Sequence, residues 1–147
     1  MQICQQGSIW KKESFDLDAK LSTQTISKDF NTLPELVRIR AIEIGSNVAF
    51  KDDSNEISYK ELNHLSDSFA FGLISEGLEF GDRVAIWAPN SINWIICAIG
   101  IQKAGGILVP INTRMKGNEA SFILNKSEAK FLFCLLYTSP SPRDVCS

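Results

Sequence analysis

The sequence predicts an α/β fold, in which an incomplete parallel sheet is flanked by helices. Short runs rich in Val and Ile alternate with longer segments that repeat apolar residues at helical spacing. Strand-like runs at 83–88 and 107–110 are separated by one helix-length segment, which is the spacing of a parallel crossover. The 147 residues, 44% hydrophobic and 22% charged, are typical of a globular unit.

The first predicted helix follows Thr32. Thr32 can cap the helix, and Pro34 lies in its first turn, where a missing N–H leaves no hydrogen bond unmade. Apolar residues then recur at helical spacing up to Gly45. The preceding residues are polar and weakly patterned, so we expect a loosely ordered leader over 1–31. N-terminal sequencing of the native protein tests the alternative hypothesis that the chain starts within 21–30.

A hairpin and a long helix are predicted next. Short strands at 47–51 and 56–59 flank a polar turn. Ser58 and Glu61 have the spacing of a capping box, in which each side chain accepts a hydrogen bond from the backbone N–H of the other residue. Apolar residues follow at helical spacing until Gly77, where we expect the helix to end.

The remaining elements alternate strand and helix. A Val/Ile/Trp strand over 83–88 leads to an apolar helix that we expect Asn90 to cap. A continuous apolar strand follows over 107–110. A helix around 118–126 and a strand at 130–133 repeat the unit. The pattern therefore predicts at least three parallel strands with helices between them.

Charge and composition exclude several classes of function. A net charge of -2, with no basic stripe, disfavours nucleic acid and anionic membrane surfaces as partners. The apolar segment 92–101 is much shorter than the ~20 residues of a membrane-spanning helix. One histidine and four cysteines without CxxC spacing support neither a zinc cluster nor a disulfide framework; the cysteines are Cys4, Cys97, Cys134 and Cys146. Because no secretory signal is recognisable either, we expect reduced thiols and a cytoplasmic location.

Four motifs carry a family resemblance. They are I-S-Y-K-E-L at 57–62, G-D-R-V-A-I at 81–86, P-N at 89–90 and K-A-G-G-I-L-V-P-I-N at 103–112. In this order and spacing they resemble the opening motifs of the adenylate-forming (AMP-binding) superfamily, over residues 33–133. Asn112 makes the chain more similar to the acyl-CoA ligase branch than to the peptide synthetases, in which an acidic residue usually occupies this position.

The resemblance implies a fold and an activity. Residues 32–133 would form part of the N-terminal subdomain of the large AMP-binding domain. The complete parent would be an ATP-dependent acyl-CoA ligase that converts a small carboxylic acid, ATP and coenzyme A to acyl-CoA, AMP and pyrophosphate. In the family the phosphate loop, the Mg²⁺ site and the essential lysine lie downstream. We therefore expect this chain to be inactive and assign it no catalytic, cofactor-binding or metal-binding residue. The alternative is a free-standing α/β binding or regulatory module.

Two features could suggest a ligand site. Gly100 with Gly105 and Gly106 has the spacing that begins a phosphate loop, but no Lys and Ser/Thr follow, so we interpret the glycines as a turn. Residues 112–114, Asn-Thr-Arg, follow the carboxyl end of a strand, where α/β folds place ligands. We favour a structural role there as well, because caps and turns use the same residue types.

Other reactive side chains have structural interpretations. Asp82 and Arg83 are adjacent on a strand and point to opposite faces, which favours ion pairing at a loop edge over catalysis. His64 lies off the apolar stripe of its helix and is interpreted as a solvated surface residue. Cys97 lies in an apolar helix and is interpreted as a small core residue.

The last residues, 134–147, have a different character. The string from Cys134 to Asp144, C-L-L-Y-T-S-P-S-P-R-D, can be encoded by a transposase adapter that is used to prepare sequencing libraries. We therefore interpret 134–147 as a non-native, disordered tail, with the native part ending at Phe133. The alternative is a Ser/Pro linker that carries a phosphorylation site.

Overall fold

The computed structural model describes residues 2–3, 30–53 and 55–134. Most of the predicted leader and nearly all of the predicted tail lie outside these ranges. The elements in chain order are β1 Gln2–Ile3, α1 Leu33–Glu43, β2 Val48–Lys51, β3 Glu56–Ser58, α2 Tyr59–Ser75, β4 Arg83–Trp87, α3 Ile92–Lys103, β5 Ile107–Ile111, α4 Gly117–Ser127 and β6 Phe131–Cys134.

The main sheet is parallel, with strand order β1-β6-β4-β5. β4 lies at its centre, and its residues Val84, Ala85 and Ile86 are fully buried. β2 and β3 form the predicted antiparallel hairpin, with an irregular register between Val48 and Phe50. The predicted α/β class and incomplete parallel sheet are confirmed.

Helices cover both faces of the sheet. Alternate residues of a strand point to opposite sides, so β4 packs against helices on each face. Ile86 packs with Leu73 of α2 and Ile101 of α3 on one face. Ala85 packs with Leu124 of α4 on the other face. α1 and the hairpin add a further cluster on the outer side of α2 and α3. Among the described residues, no helix is both long and apolar enough to cross a membrane.

Local capping fixes two helix starts as predicted. The Thr32 hydroxyl accepts a hydrogen bond from the Glu35 N–H at 3.3 Å. At the start of α2 the Ser58 hydroxyl accepts from the Glu61 N–H at 3.3 Å, and the Glu61 carboxylate accepts from the Ser58 N–H at 3.0 Å. The Ser58 hydroxyl also donates to the Glu61 carboxylate at 2.6 Å, and this bond, together with the one from the Ser58 N–H, lowers the pKa of Glu61. After α2 the chain reverses at Gly77, whose φ of 88° suits glycine.

The predicted cap of α3 is wrong by one residue. Ser91, rather than Asn90, has the extended backbone of a cap, and its hydroxyl accepts a hydrogen bond from the Trp94 N–H at 3.2 Å. A cap must directly precede the first helical residue, which here is Ile92.

The last strand, β6, continues one residue past Phe133, and Cys134 pairs with Trp87 of β4.

Candidate functional site

In α/β folds, ligands usually bind at the carboxyl edge of the parallel sheet. The loop after β5 is tied to this edge by Trp87, whose indole N–H donates to the Asn112 carbonyl at 3.2 Å. The Asn112 side-chain oxygen accepts from the Arg114 N–H at 2.9 Å, and the Asn112 carbonyl accepts from the Met115 N–H at 3.1 Å. Asn112 therefore closes a turn within its own loop. This agrees with the structural role that the sequence favours for residues 112–114.

The N-terminus of α3 lies at the same edge of the sheet. A helix N-terminus presents free N–H groups and a partial positive charge, and it commonly binds phosphate. Here the Ile92 N–H donates to a carboxylate oxygen of Asp52 at 3.3 Å, and the Trp94 N–H donates to the Ser91 hydroxyl. Groups of the protein itself thus occupy the positive end of α3. Sequence analysis missed Asp52 in this role because it lies in the hairpin turn, 40 residues away.

The glycine cluster is a turn and a packing contact. Gly105 has a φ of 80°, its carbonyl accepts from the Gly81 N–H at 2.9 Å, and the Gly106 N–H donates to the Ile101 carbonyl at 2.9 Å. These bonds direct the backbone into β5 and leave no cradle for a phosphate. Gly100 faces α2: a Cβ atom there would lie 2.9 Å from the Ser66 carbonyl oxygen. The interpretation of these glycines as a turn is confirmed for Gly105 and Gly106.

A partly buried lysine joins α2 to α3. The Lys103 side chain is only 11% exposed, and its ammonium donates to the Asp67 carboxylate at 2.7 Å. It also donates to the Asn63 side-chain oxygen at 2.8 Å and to the Asn63 carbonyl at 3.1 Å. Burial lowers the pKa of Lys103, while the hydrogen bond and charge of Asp67 oppose that change. Asn63 and Asp67 lie on one face of α2, and their spacing could be recognised in the sequence. Their partner Lys103 lies on α3, and that pairing depends on tertiary packing.

An open cleft of about 660 Å³ lies beside this lysine, between α1, α2 and α3. Its polar wall includes Glu35, Arg38 and Lys103, and its apolar wall includes Phe71 and Ile74. Phe71 is 64% exposed, so the cleft is shallow on that side. Charges of both signs line it, which gives it no clear preference for an anion or a cation.

Asp82 and Arg83 are both engaged in ion pairs, as predicted, and the structure identifies their partners. The Asp82 carboxylate accepts from the Lys130 ammonium at 2.8 Å and from the Glu79 N–H at 2.7 Å. These bonds lower the pKa of Asp82. Arg83 pairs with Glu128 at 2.7 Å. Both pairs lie at the opposite, amino edge of the sheet, where β4 begins.

The remaining reactive residues also have structural roles. His64 is exposed on α2, in agreement with the surface interpretation. Cys97 is 6% exposed within the core, and burial raises the pKa of its thiol to about 12 because the thiolate would lose its hydration. Cys97 is therefore a core residue, as predicted.

Within 30–53 and 55–134, no three side chains of His, Cys, Asp or Glu are grouped so that they could hold a metal ion. The α3 N-terminus is occupied by Asp52 and Ser91, and the glycine turn is bonded internally.

The architecture is that of the N-terminal part of an adenylate-forming enzyme. Residues 40–146 match the AMP-binding enzyme family, and the chain belongs to that family. The resemblance that the four motifs suggested is therefore confirmed.

Curated relatives include CoA ligases and a syringomycin synthase. The chain is 37% identical over 101 residues to a methyl-dioxo-octahydro-indenyl-propanoyl:CoA ligase of Rhodococcus jostii, an alignment that covers 69% of this chain and 20% of the relative. It is 37% identical over 95 residues to the long-chain-fatty-acid–CoA ligase FadD13 of Mycobacterium tuberculosis, covering 63% and 18%. Syringomycin synthase SyrB1 of Pseudomonas syringae is 32% identical, covering 68% and 16%.

Solved structures show the same fold. The N-terminal domain of FACL13 from Mycobacterium tuberculosis superposes with a TM-score of 0.68 at 33% identity, covering 71% of this chain and 27% of that domain. The N-terminal subdomain of NpsA from Klebsiella oxytoca gives a TM-score of 0.68 at 25% identity, covering 75% and 29%. The chain thus spans about a fifth of the length of the curated relatives that it matches.

Proposed function

We propose that this chain is the N-terminal part of an ATP-dependent acyl-CoA ligase. In the complete parent, a carboxylic acid would react with ATP to give an acyl-adenylate and pyrophosphate, and coenzyme A would then displace AMP to give a thioester. Support comes from the family match over residues 40–146 and from the CoA ligases at 37% identity. Asn112 in the strand-end motif favours this branch over the peptide synthetases.

The chain alone is inactive under this proposal. The observation that supports it is the Asp52 carboxylate at the N-terminus of α3, which accepts a hydrogen bond from the Ile92 N–H, one of the groups that a phosphate at this helix end would use. A phosphate loop, Mg²⁺ ligands and a lysine for adenylation would have to come from parts of the parent that these residues do not include. We assign the described residues a supporting role, in which they build the sheet edge beside which the parent would bind its acid and nucleotide.

An isotope-exchange assay tests this proposal. The 147-residue chain is incubated with ATP, Mg²⁺, labelled pyrophosphate and a panel of fatty, aromatic and ring-containing carboxylic acids. We expect no acid-dependent incorporation of label into ATP. Robust exchange would show that the chain is a complete adenylating enzyme and would overturn the proposed inactivity.

Sequencing the source DNA beyond codon 133 supplies the complementary test. We expect a reading frame that continues into a phosphate loop and a C-terminal domain, and we expect its product to form acyl-CoA from at least one acid of the panel. A genomic frame that encodes the Ser/Pro tail would contradict the adapter interpretation of 134–147. If that frame also stopped at Ser147, and the chain were monomeric and melted cooperatively, the binding or regulatory module would be favoured instead.

A further inference from the structure

β5 forms the outer edge of the parallel sheet. Its hydrogen-bonded neighbour is β4, and within the described residues no strand lies on its other side. The strand carries no charge, and Ile107 at its start is 51% exposed. An uncharged apolar edge of this kind is a template on which a second chain can add a strand.

The direction of each backbone group in β5 follows from one hydrogen bond. The Ile107 N–H donates to the Asp82 carbonyl at 2.8 Å, so Ile107 directs its backbone groups toward β4. Successive residues of a strand direct these groups to alternate sides. Val109 and Ile111 therefore bond to β4 as well, whereas Leu108 and Pro110 direct their backbone groups outward.

Pro110 thus lies at an outward-facing position of an edge strand, where a proline removes no hydrogen bond of the sheet. It lacks an N–H, but the missing donor belongs to the outer edge and not to the β4–β5 ladder. The proline ring occupies the place from which that N–H would have pointed at an incoming strand. Leu108 is then the one residue between Ile107 and Ile111 that still offers an outward N–H.

We propose that Pro110 closes the outer edge of β5 to strand addition by a second copy of this chain. An added strand would lose one ladder hydrogen bond at Pro110 and would contact the ring where it needs a donor. β5 is consequently the outermost strand within the described residues, although it is otherwise apolar and uncharged. This inference is independent of the proposed ligase activity, because it concerns assembly and not chemistry.

Two substitutions restore the donor. Pro110→Val supplies an N–H together with high strand propensity, and Pro110→Ala supplies the N–H with little side chain. Pro89→Val is the matched control, because Pro89 is also exposed but lies in the loop after β4. Self-association is measured by sedimentation velocity over a concentration series, and hydrogen–deuterium exchange reports on the Leu108 amide.

We expect both Pro110 variants to self-associate about fivefold more strongly than the unaltered chain, which corresponds to about 1 kcal/mol for the restored bond. The Leu108 amide should exchange more slowly in the associated form, and Pro89→Val should behave like the unaltered chain. Unchanged association and exchange in folded Pro110 variants would overturn the proposal. Loss of folding in both variants would also overturn it, because the β4–β5 ladder would then depend on Pro110.

Discussion

The ammonium nitrogen of Lys103 lies 2.7 Å from a carboxylate oxygen of Asp67, and this ion pair joins α3 to α2 where the two helices pack. Two further acceptors on Asn63 use the remaining N–H donors of the lysine. The lysine is therefore fully hydrogen-bonded although it is nearly buried. It stabilises the helix that ends in the Gly105–Gly106 turn and so supports the start of β5.

Replacing Lys103 by Met tests this link. Met keeps most of the apolar stem but removes every donor, and the oxygens of Asn63 and Asp67 lose their partner. We expect the free energy of unfolding to fall by about 1–3 kcal/mol in urea titrations. Lys51→Met is the control, because Lys51 is 74% exposed and its pair with Glu56 is 3.8 Å long; we expect it to change stability by less than about 0.5 kcal/mol. Equal effects of the two substitutions would show that Lys103 contributes no more than a surface lysine.

Gly100→Ala tests the close approach of α3 to α2. A Cβ atom at this position would lie 2.7 Å from a ring carbon of Phe69 and 2.9 Å from the Ser66 carbonyl oxygen, so the backbones must separate. We expect a loss of about 1–3 kcal/mol in the free energy of unfolding. Gly117→Ala in α4 provides the comparison, since no atom lies within 4 Å of its added Cβ and alanine favours helix. If Gly100→Ala proved as stable as Gly117→Ala, the packing argument would be wrong.

Thiol reactivity tests the burial of Cys97. In a variant with Cys4, Cys134 and Cys146 replaced by Ser, Cys97 is the remaining thiol. Because burial raises its pKa to about 12, the folded chain should contain roughly three orders of magnitude less thiolate at pH 8 than the chain in urea, where the thiol has its ordinary pKa of about 8.5. The rate of reaction with a disulfide reagent should differ accordingly. Similar rates in buffer and in urea would contradict a buried Cys97.

The Asp82–Lys130 pair predicts a dependence of stability on acid pH. Hydrogen bonds from Lys130 and from the Glu79 N–H hold the pKa of Asp82 below its ordinary value of 3.8. The unfolded chain therefore binds a proton at a higher pH than the folded chain does, and the stabilisation is present above about pH 5 and lost as the pH falls through the folded pKa. We expect the free energy of unfolding of Asp82→Asn to fall less steeply below pH 5 than that of the unaltered chain. Asp53→Asn, at an exposed position of the hairpin turn, is the surface control for replacing an aspartate by asparagine.

Features that depend on neighbours in the chain could be predicted from the sequence. The capping box of Ser58 and Glu61 spans three residues, and the turn at Gly77 follows directly from its helix. Asn90 and Ser91 are adjacent and both suit a cap, so the sequence alone could not choose between them.

Contacts between distant segments could not be predicted in this way. The partners Asp67 and Lys103 are separated by 36 residues, and Asp52 and Ile92 by 40. Both pairings require the relative placement of helices that only the packed core determines. The turn at Asn112 could be expected, because its hydrogen bond joins residues two positions apart. The hydrogen bond from the N-terminus of α3 to Asp52 could not, because it joins distant segments.

The hydrogen bond from the Ile92 N–H to Asp52 also bears on what holds the crossover from β4 to β5 in place. A helix that receives its counter-ion from the same polypeptide has no need of one from solution. The partial positive charge at the start of α3 is thus balanced within the chain itself, and the position of α3 does not depend on a bound anion.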